Sequence, residues 1–236
     1  MKPNDDLNEK LDVLVRSIAF SGQAQTEELI ASVVTAGGVS ENALVEMLCD
    51  QSLDTSLRLN ICWLLPRLKI EAVGDALKTL MSDPSEQIRA EAASGLGLIS
   101  QDNVVEALLD SLEHDSSKAV RLATLHALGL ISSPRSAIHL MRVLQNFGED
   151  AEVRADAAEA LAHIEDERVV DVLIKALQDN SPLVRYSAAY SLGQQGDTSA
   201  LPALRDLASR DHAATPWGSV ISCALNSIET ITKQHL

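Results

Sequence analysis

Residues 120–128 read VRLATLHAL, and the same pattern returns along the chain. LRLNICWLL begins at residue 57, IRAEAASGL at 88, VRADAAEAL at 153 and VRYSAAYSL at 184. Each copy has an apolar residue, an arginine, two variable positions, a small or apolar residue, three variable positions and a leucine. The arginines are Arg58, Arg89, Arg121, Arg154 and Arg185, separated by 31, 32, 33 and 31 residues. A sixth copy, VISCALNSI from residue 220, keeps Val220, Ala224 and Ile228 but has Ile221 in the arginine's place. A period of this length marks a stacked array, because so small a unit cannot bury its own apolar face.

Each unit carries two helical patterns. After the arginine, apolar residues recur at −1, +3, +7 and +10, a stripe of helical period. In the third copy these are Val120, Thr124, Leu128 and Ile131. Before the arginine runs a shorter stripe such as VVEALLDSL (104–112) or VVDVLIKAL (169–177). No strand-type alternation is present, so the chain is expected to be all-α, with about seven helix pairs, the first least regular. The segment TAGGVS (35–40) is expected to separate the first pair from the second. Asp83-Pro84, Ser133-Pro134 and Ser181-Pro182 place a capping side chain before a proline suited to a first helical turn. Gly97, Gly129 and Gly193 fall near the ends of second helices, where they permit close approach or a turn.

Composition narrows the function classes. The chain has 236 residues, 46% apolar, enough for a core. Only 3% are aromatic, so that core is aliphatic. The net charge of −15 argues against a nucleic-acid binder, whose affinity comes from clustered Lys and Arg. No stretch approaches the roughly 18 apolar residues of a membrane span. The start, MKPNDDLNEK, has no apolar region of a secretory signal. Three cysteines (Cys49, Cys62, Cys223) lack metal-type or disulfide-framework spacing, so a reduced, cytoplasmic protein is the expectation.

The spacing Asp-x5-Arg (Asp83/Arg89, Asp115/Arg121, Asp179/Arg185), with V-R-x-x-A-x-x-x-L-G, resembles the HEAT repeat, and the short period its phycobilisome-lyase HEAT-like subclass. The likeness is strongest over residues 50–208. It implies a right-handed α-solenoid, or superhelix, of about seven stacked antiparallel pairs. Residues 1–50 would form atypical capping repeats, 51–208 the regular repeats and 209–236 a C-terminal cap. It also implies a structural ladder of turn aspartates and arginines: Asp83, Arg89, Asp115, Arg121, Arg154, Asp179 and Arg185. Asp54 and Asp150 stand four residues before Arg58 and Arg154 instead of six, which disturbs a uniform ladder there.

In such arrays the second helix of each pair lines the concave face. On a helical wheel, positions +1, +5 and +9 from the arginine lie opposite the core stripe, with +2 beside them. They hold Leu59, Trp63 and Arg67; Leu122 and His126; Glu159 and His163; Tyr186 and Tyr190. Aromatic and aliphatic groups with a few polar ones make a partner surface, and Trp and Tyr are favoured anchors. The alternative is that these side chains lean over and pack on adjacent units.

Catalytic motifs are missing. There is no nucleophile elbow or phosphate loop, and Cys62 reads as a small core residue. One HEAT-like enzyme family, deoxyhypusine hydroxylase, holds two irons with His-Glu pairs on inner helices. The matching positions here read Ala90-Glu91 and Ala155-Asp156, and no adjacent His-Glu pair occurs in the chain. No cofactor, metal site or catalytic residue is therefore expected. The expected function is a non-catalytic scaffold or adaptor whose concave face binds another protein, a basic one of the kind masked by an inhibitor or immunity protein. The alternative is a bilin lyase or chaperone-like subunit, with Tyr186, Tyr190, Trp63, His126 and Arg67 around a tetrapyrrole. The sequence leaves the oligomeric state open. It also leaves open whether Trp217 caps the core or faces a partner.

Overall fold

The computed structural model describes residues 41–53, 55–68 and 73–235. The chain divides between Ala123 and Thr124 into two compact units. In the first unit lie α1 (Glu41–Cys49), α2 (Thr55–Leu64), α3 (Val73–Leu80), α4 (Glu86–Ile99) and α5 (Val105–His114). Helix α6 (Lys118–Ile131) begins in the first unit and ends in the second. The second unit continues with α7 (Ala137–Gln145), α8 (Ala151–Ala160), α9 (Glu167–Ala176), α10 (Pro182–Gln195), α11 (Leu201–Arg210) and α12 (Val220–Gln234). In chain order these are the first and second helices of six repeats. The expected seventh pair, upstream of TAGGVS, lies outside the described residues, as does Asp54.

The repeating stripe is the core. Ile88, Ala92 and Leu96 of α4 are wholly buried, as are Val153, Ala157 and Leu161 in the α8 repeat and Val184, Ala188 and Leu192 of α10. First helices meet them with Leu77, Leu108, Leu140, Leu173 and Leu204, also wholly buried. Small residues set the spacing between second helices. A side chain at Gly193 would meet the Ser227 hydroxyl at 2.7 Å, so only glycine lets α10 and α12 approach this closely. Gly196, at φ +72°, ends α10 in the left-handed conformation that glycine adopts without steric cost.

One element departs from an all-helical expectation. Ala214–Thr215 (β1) pairs antiparallel with Gly218–Ser219 (β2), and Pro216-Trp217 make the turn. The Thr215 hydroxyl accepts from the Trp217 backbone N–H and donates to the Gly218 carbonyl. Gly218 takes φ +133°. Two residues per strand are too few to show as alternation in the sequence.

Capping also differs in detail. The residue before α4 is Ser85, not Asp83. Asp83 instead uses Oδ1 to accept from Ser85 N at 2.9 Å, leaving its other oxygen for an arginine. Asp115 and Asp179 hold their turns alike, accepting from Ser117 N and Ser181 N, each at 2.8 Å.

The arginines bind forward, to the aspartate of the next repeat. Arg58 reaches Asp83, Arg89 reaches Asp115, Arg154 reaches Asp179 and Arg185 reaches Asp211, at 2.5 to 2.9 Å. Backward, Nη1 of Arg89, Arg121 and Arg185 donates to the carbonyls of Asp83, Asp115 and Asp179, six residues earlier. Each Asp-x5-Arg motif is thus a backbone contact, and the ion pair spans 25 or 26 residues. This corrects the expected disturbance at Arg58 and Arg154. Arg58 pairs with Asp83 and Arg154 with Asp179, and of the four forward pairs these two are the most buried, with both side chains at most 7% exposed. Asp211, absent from the expected ladder, ends the row. At the position 25 residues after Arg121 the sequence has Asn146.

Candidate partner-binding face

The expected face residues fall into two arrangements. In the first unit, Trp63 on α2 is half-buried, and the Arg67 guanidinium lies over its ring at 3.9 Å. Arg67 Nη1 also donates to the Trp63 carbonyl one turn back. Glu91 on α4 is close enough for its charge to act on Arg67. Burial raises the Glu91 carboxyl above its ordinary value, and the Arg67 charge offsets part of that rise. Burial likewise lowers Arg67. Leu59 and Leu122 are half-buried on the flanks of α2 and α6. Here the aromatic and the cation engage one another.

The second unit is open. His126 of α6, Glu159 of α8, His163 just beyond it and Tyr190 of α10 are all exposed and line one cleft of about 230 Å³. Asp156, Gly129, Leu130 and the buried Leu125, Ala160 and Ala162 complete the lining. Positions +5 and +9 of three successive second helices thus converge, because stacking aligns equivalent residues. Leu130 and Tyr190 remain 48% and 40% exposed. No lysine or arginine among the described residues lines the cleft.

Positions +1 and +2 behave differently from the wheel expectation. Ala155 and Ser187 are buried. Tyr186 leans toward the next repeat. Its ring centroid is 5.9 Å from that of Trp217, its hydroxyl donates to the Trp217 carbonyl, and Cys223 Sγ donates to its backbone carbonyl. The reason is that these positions sit on the flank facing the neighbouring second helix. Trp217 itself is 57% exposed at the hairpin tip. The ribbon has no signature in the sequence, because Trp217 lies outside the repeat register.

Cys62 and Cys223 are buried and poor nucleophiles. Burial pushes the Cys62 thiol far above its usual range and the Cys223 thiol up to about 11. Among the described residues, no three or more His, Cys, Asp or Glu side chains are grouped to hold a metal ion. No helix among them is long and apolar enough to cross a membrane.

Helix pairs repeating on one core stripe define an all-α solenoid. The family model for HEAT repeats matches residues 41–129, 74–147 and 139–216, and the chain belongs to that family. Deoxyhypusine hydroxylase of Eremothecium gossypii is 34% identical over 131 residues, 54% of this chain and 40% of that protein. The chain therefore spans two fifths of that relative's length. An engineered protein has a similar structure at TM-score 0.57 and 20% identity, over 82% of this chain and 99% of that one. A computationally designed armadillo repeat protein for modular peptide recognition gives 0.51 and 19%, over 81% and 99%.

Proposed function

We propose that this chain is a non-catalytic scaffold that binds a basic protein on the face formed by its second helices. The carrying observation is the cleft in the second unit, where Asp156, Glu159, His126, His163 and Tyr190 converge with no lysine or arginine among the described residues of its lining. Exposed Leu130 and Tyr190 supply apolar area there, and a net charge of −15 adds long-range attraction for cations. Repeat solenoids of this kind commonly bind protein partners on such surfaces. The buried thiols support a non-catalytic reading. A cleft of 230 Å³ falls below the roughly 300–1,000 Å³ of drug-sized ligand sites, which disfavours the tetrapyrrole alternative there. In this reading residues 209–236 serve as the C-terminal cap.

The test is capture of the partner from the native host, followed by calorimetric titration at low and high salt. The expected partner has a high isoelectric point. Affinity should fall at least about tenfold between 50 and 300 mM salt, as steered charge complementarity requires. A neutral or acidic partner with salt-independent affinity would contradict the proposal.

A further inference from the structure

The proposal that the face binds a basic protein leaves unsaid what the cleft grips, and the following inference rests on that proposal. The cleft between α6, α8 and α10 has a particular chemistry. Asp156 and Glu159 stand three residues apart on α8 and so present carboxylates on the same side of that helix. The Glu159 side chain makes no hydrogen bond or ion pair among the described residues, and only its backbone carbonyl accepts, from Ala162 N–H at 2.9 Å and from Leu161 N–H. Tyr190, from the next second helix, exposes 40% of its surface on the same cleft. Leu125 and Leu130 supply an aliphatic wall.

Carboxylates, an aromatic ring and aliphatic walls in one small space are complementary to a cation on an apolar stem. The methylenes can lie along the leucines while the charged head meets the acids. A planar guanidinium fits better than an ammonium, because it stacks on an aromatic face and bonds a carboxylate in two places. The size, about 230 Å³, suits one side chain and not a larger ligand. The first unit shows the same preference within the chain, where Arg67 lies over Trp63 near Glu91. There the protein's own arginine fills the place; in the second unit no lysine or arginine among the described residues lines the cleft.

The geometry points to this cleft as the seat for a single arginine side chain from an extended segment of the partner. The arginine would lie against Tyr190 and pair with Glu159, with the Asp156 charge nearby adding to the attraction.

The test uses the full chain with labelled leucine, alanine and tyrosine, observed by NMR. One probe is a capped pentapeptide carrying a single arginine between serines and glycines. Its controls carry citrulline or lysine in the arginine's place. A capped hexa-arginine is the second probe. The expected shifts are confined to Leu125, Leu130, Ala160, Ala162 and Tyr190. Citrulline should bind about threefold to tenfold more weakly, and lysine should fall between the two. Glu159→Gln and Tyr190→Leu should each weaken the arginine peptide about threefold or more with unchanged melting. Shifts spread over the surface, equal binding of citrulline, or indifference to Glu159→Gln would overturn the assignment. If hexa-arginine still binds in that event, the cleft assignment alone falls. If hexa-arginine also fails to bind, the basic-partner reading falls with it.

Discussion

The two units carry the same repeat and treat the same surface positions differently. In the first, the +5 and +9 residues are Trp63 on α2 and Arg67 in the 3-10 turn that follows it (Leu65–Leu68), and they occupy one another. In the second, the equivalent residues are His126, Glu159, His163 and Tyr190, which face a common cleft and solvent. The core stripe and the arginine row are alike in both. The difference therefore lies in surface side chains that folding leaves free to vary. An i,i+4 pair within one repeat closes the face locally. Charges and a ring supplied by three different helices keep it open.

The comparison can be broken first at what the units share. Asp83→Ala and Asp179→Ala each strand a buried arginine, and each should cost about 3–5 kcal/mol, read as loss of denaturant midpoint. Unequal costs would mean that the arginine rows are not equivalent supports. Next, Trp63→Ala should cost about 2 kcal/mol, since a half-buried indole and its stacked guanidinium are lost. Tyr190→Ala should stay within about 0.5 kcal/mol of the parent. Equal destabilisation by both would show that Tyr190 is a packing residue.

Two pH effects are smaller and of opposite sign. Arg89 and Arg185 hold Asp115 and Asp211 below the ordinary carboxylate value of 3.8. Their folded values lie below their unfolded ones. The stability they contribute is therefore present above pH 3.8 and is lost as acid takes the pH down through the folded values. Acid titration of Arg89→Met should show a shallower loss than the parent. Glu91 is shifted the other way, above 4.5, so its ionisation costs stability once the pH rises past that value. Glu91→Gln should raise neutral-pH stability by a few tenths of a kcal/mol at most, since the group is partly solvated.

Much of this architecture was legible in the chain. The stripe at −1, +3, +7 and +10 is a local periodicity, and burial follows its −1, +3 and +7 positions from Ile88 to Leu192, while Ile99 and Ile131 at +10 are half-buried. The ion-pair partners were not legible, because the motif that repeats, Asp-x5-Arg, records a backbone contact within one turn. The carboxylate that an arginine binds belongs to the next repeat, so Asp211 could be assigned only with the stacking in hand. Of the candidate face, the +5 and +9 positions were readable because they lie farthest from the stripe. Ala155, Ser187 and Tyr186 were not, since the flank of a second helix is covered or left open by its neighbour. The stacking of Arg67 on Trp63 was accessible as an i,i+4 pair; the contact of Tyr186 with Trp217 depends on a four-residue ribbon with no repeat signature.

The most direct measurement of the central claim is hydroxyl-radical footprinting of the chain with and without its captured partner, read residue by residue by mass spectrometry. The account predicts strong protection of Tyr190, His126 and His163 in the complex. Phe147, 71% exposed and outside the cleft, should keep its labelling. Protection of Phe147 with Tyr190 and both histidines labelled as in the free protein would contradict it.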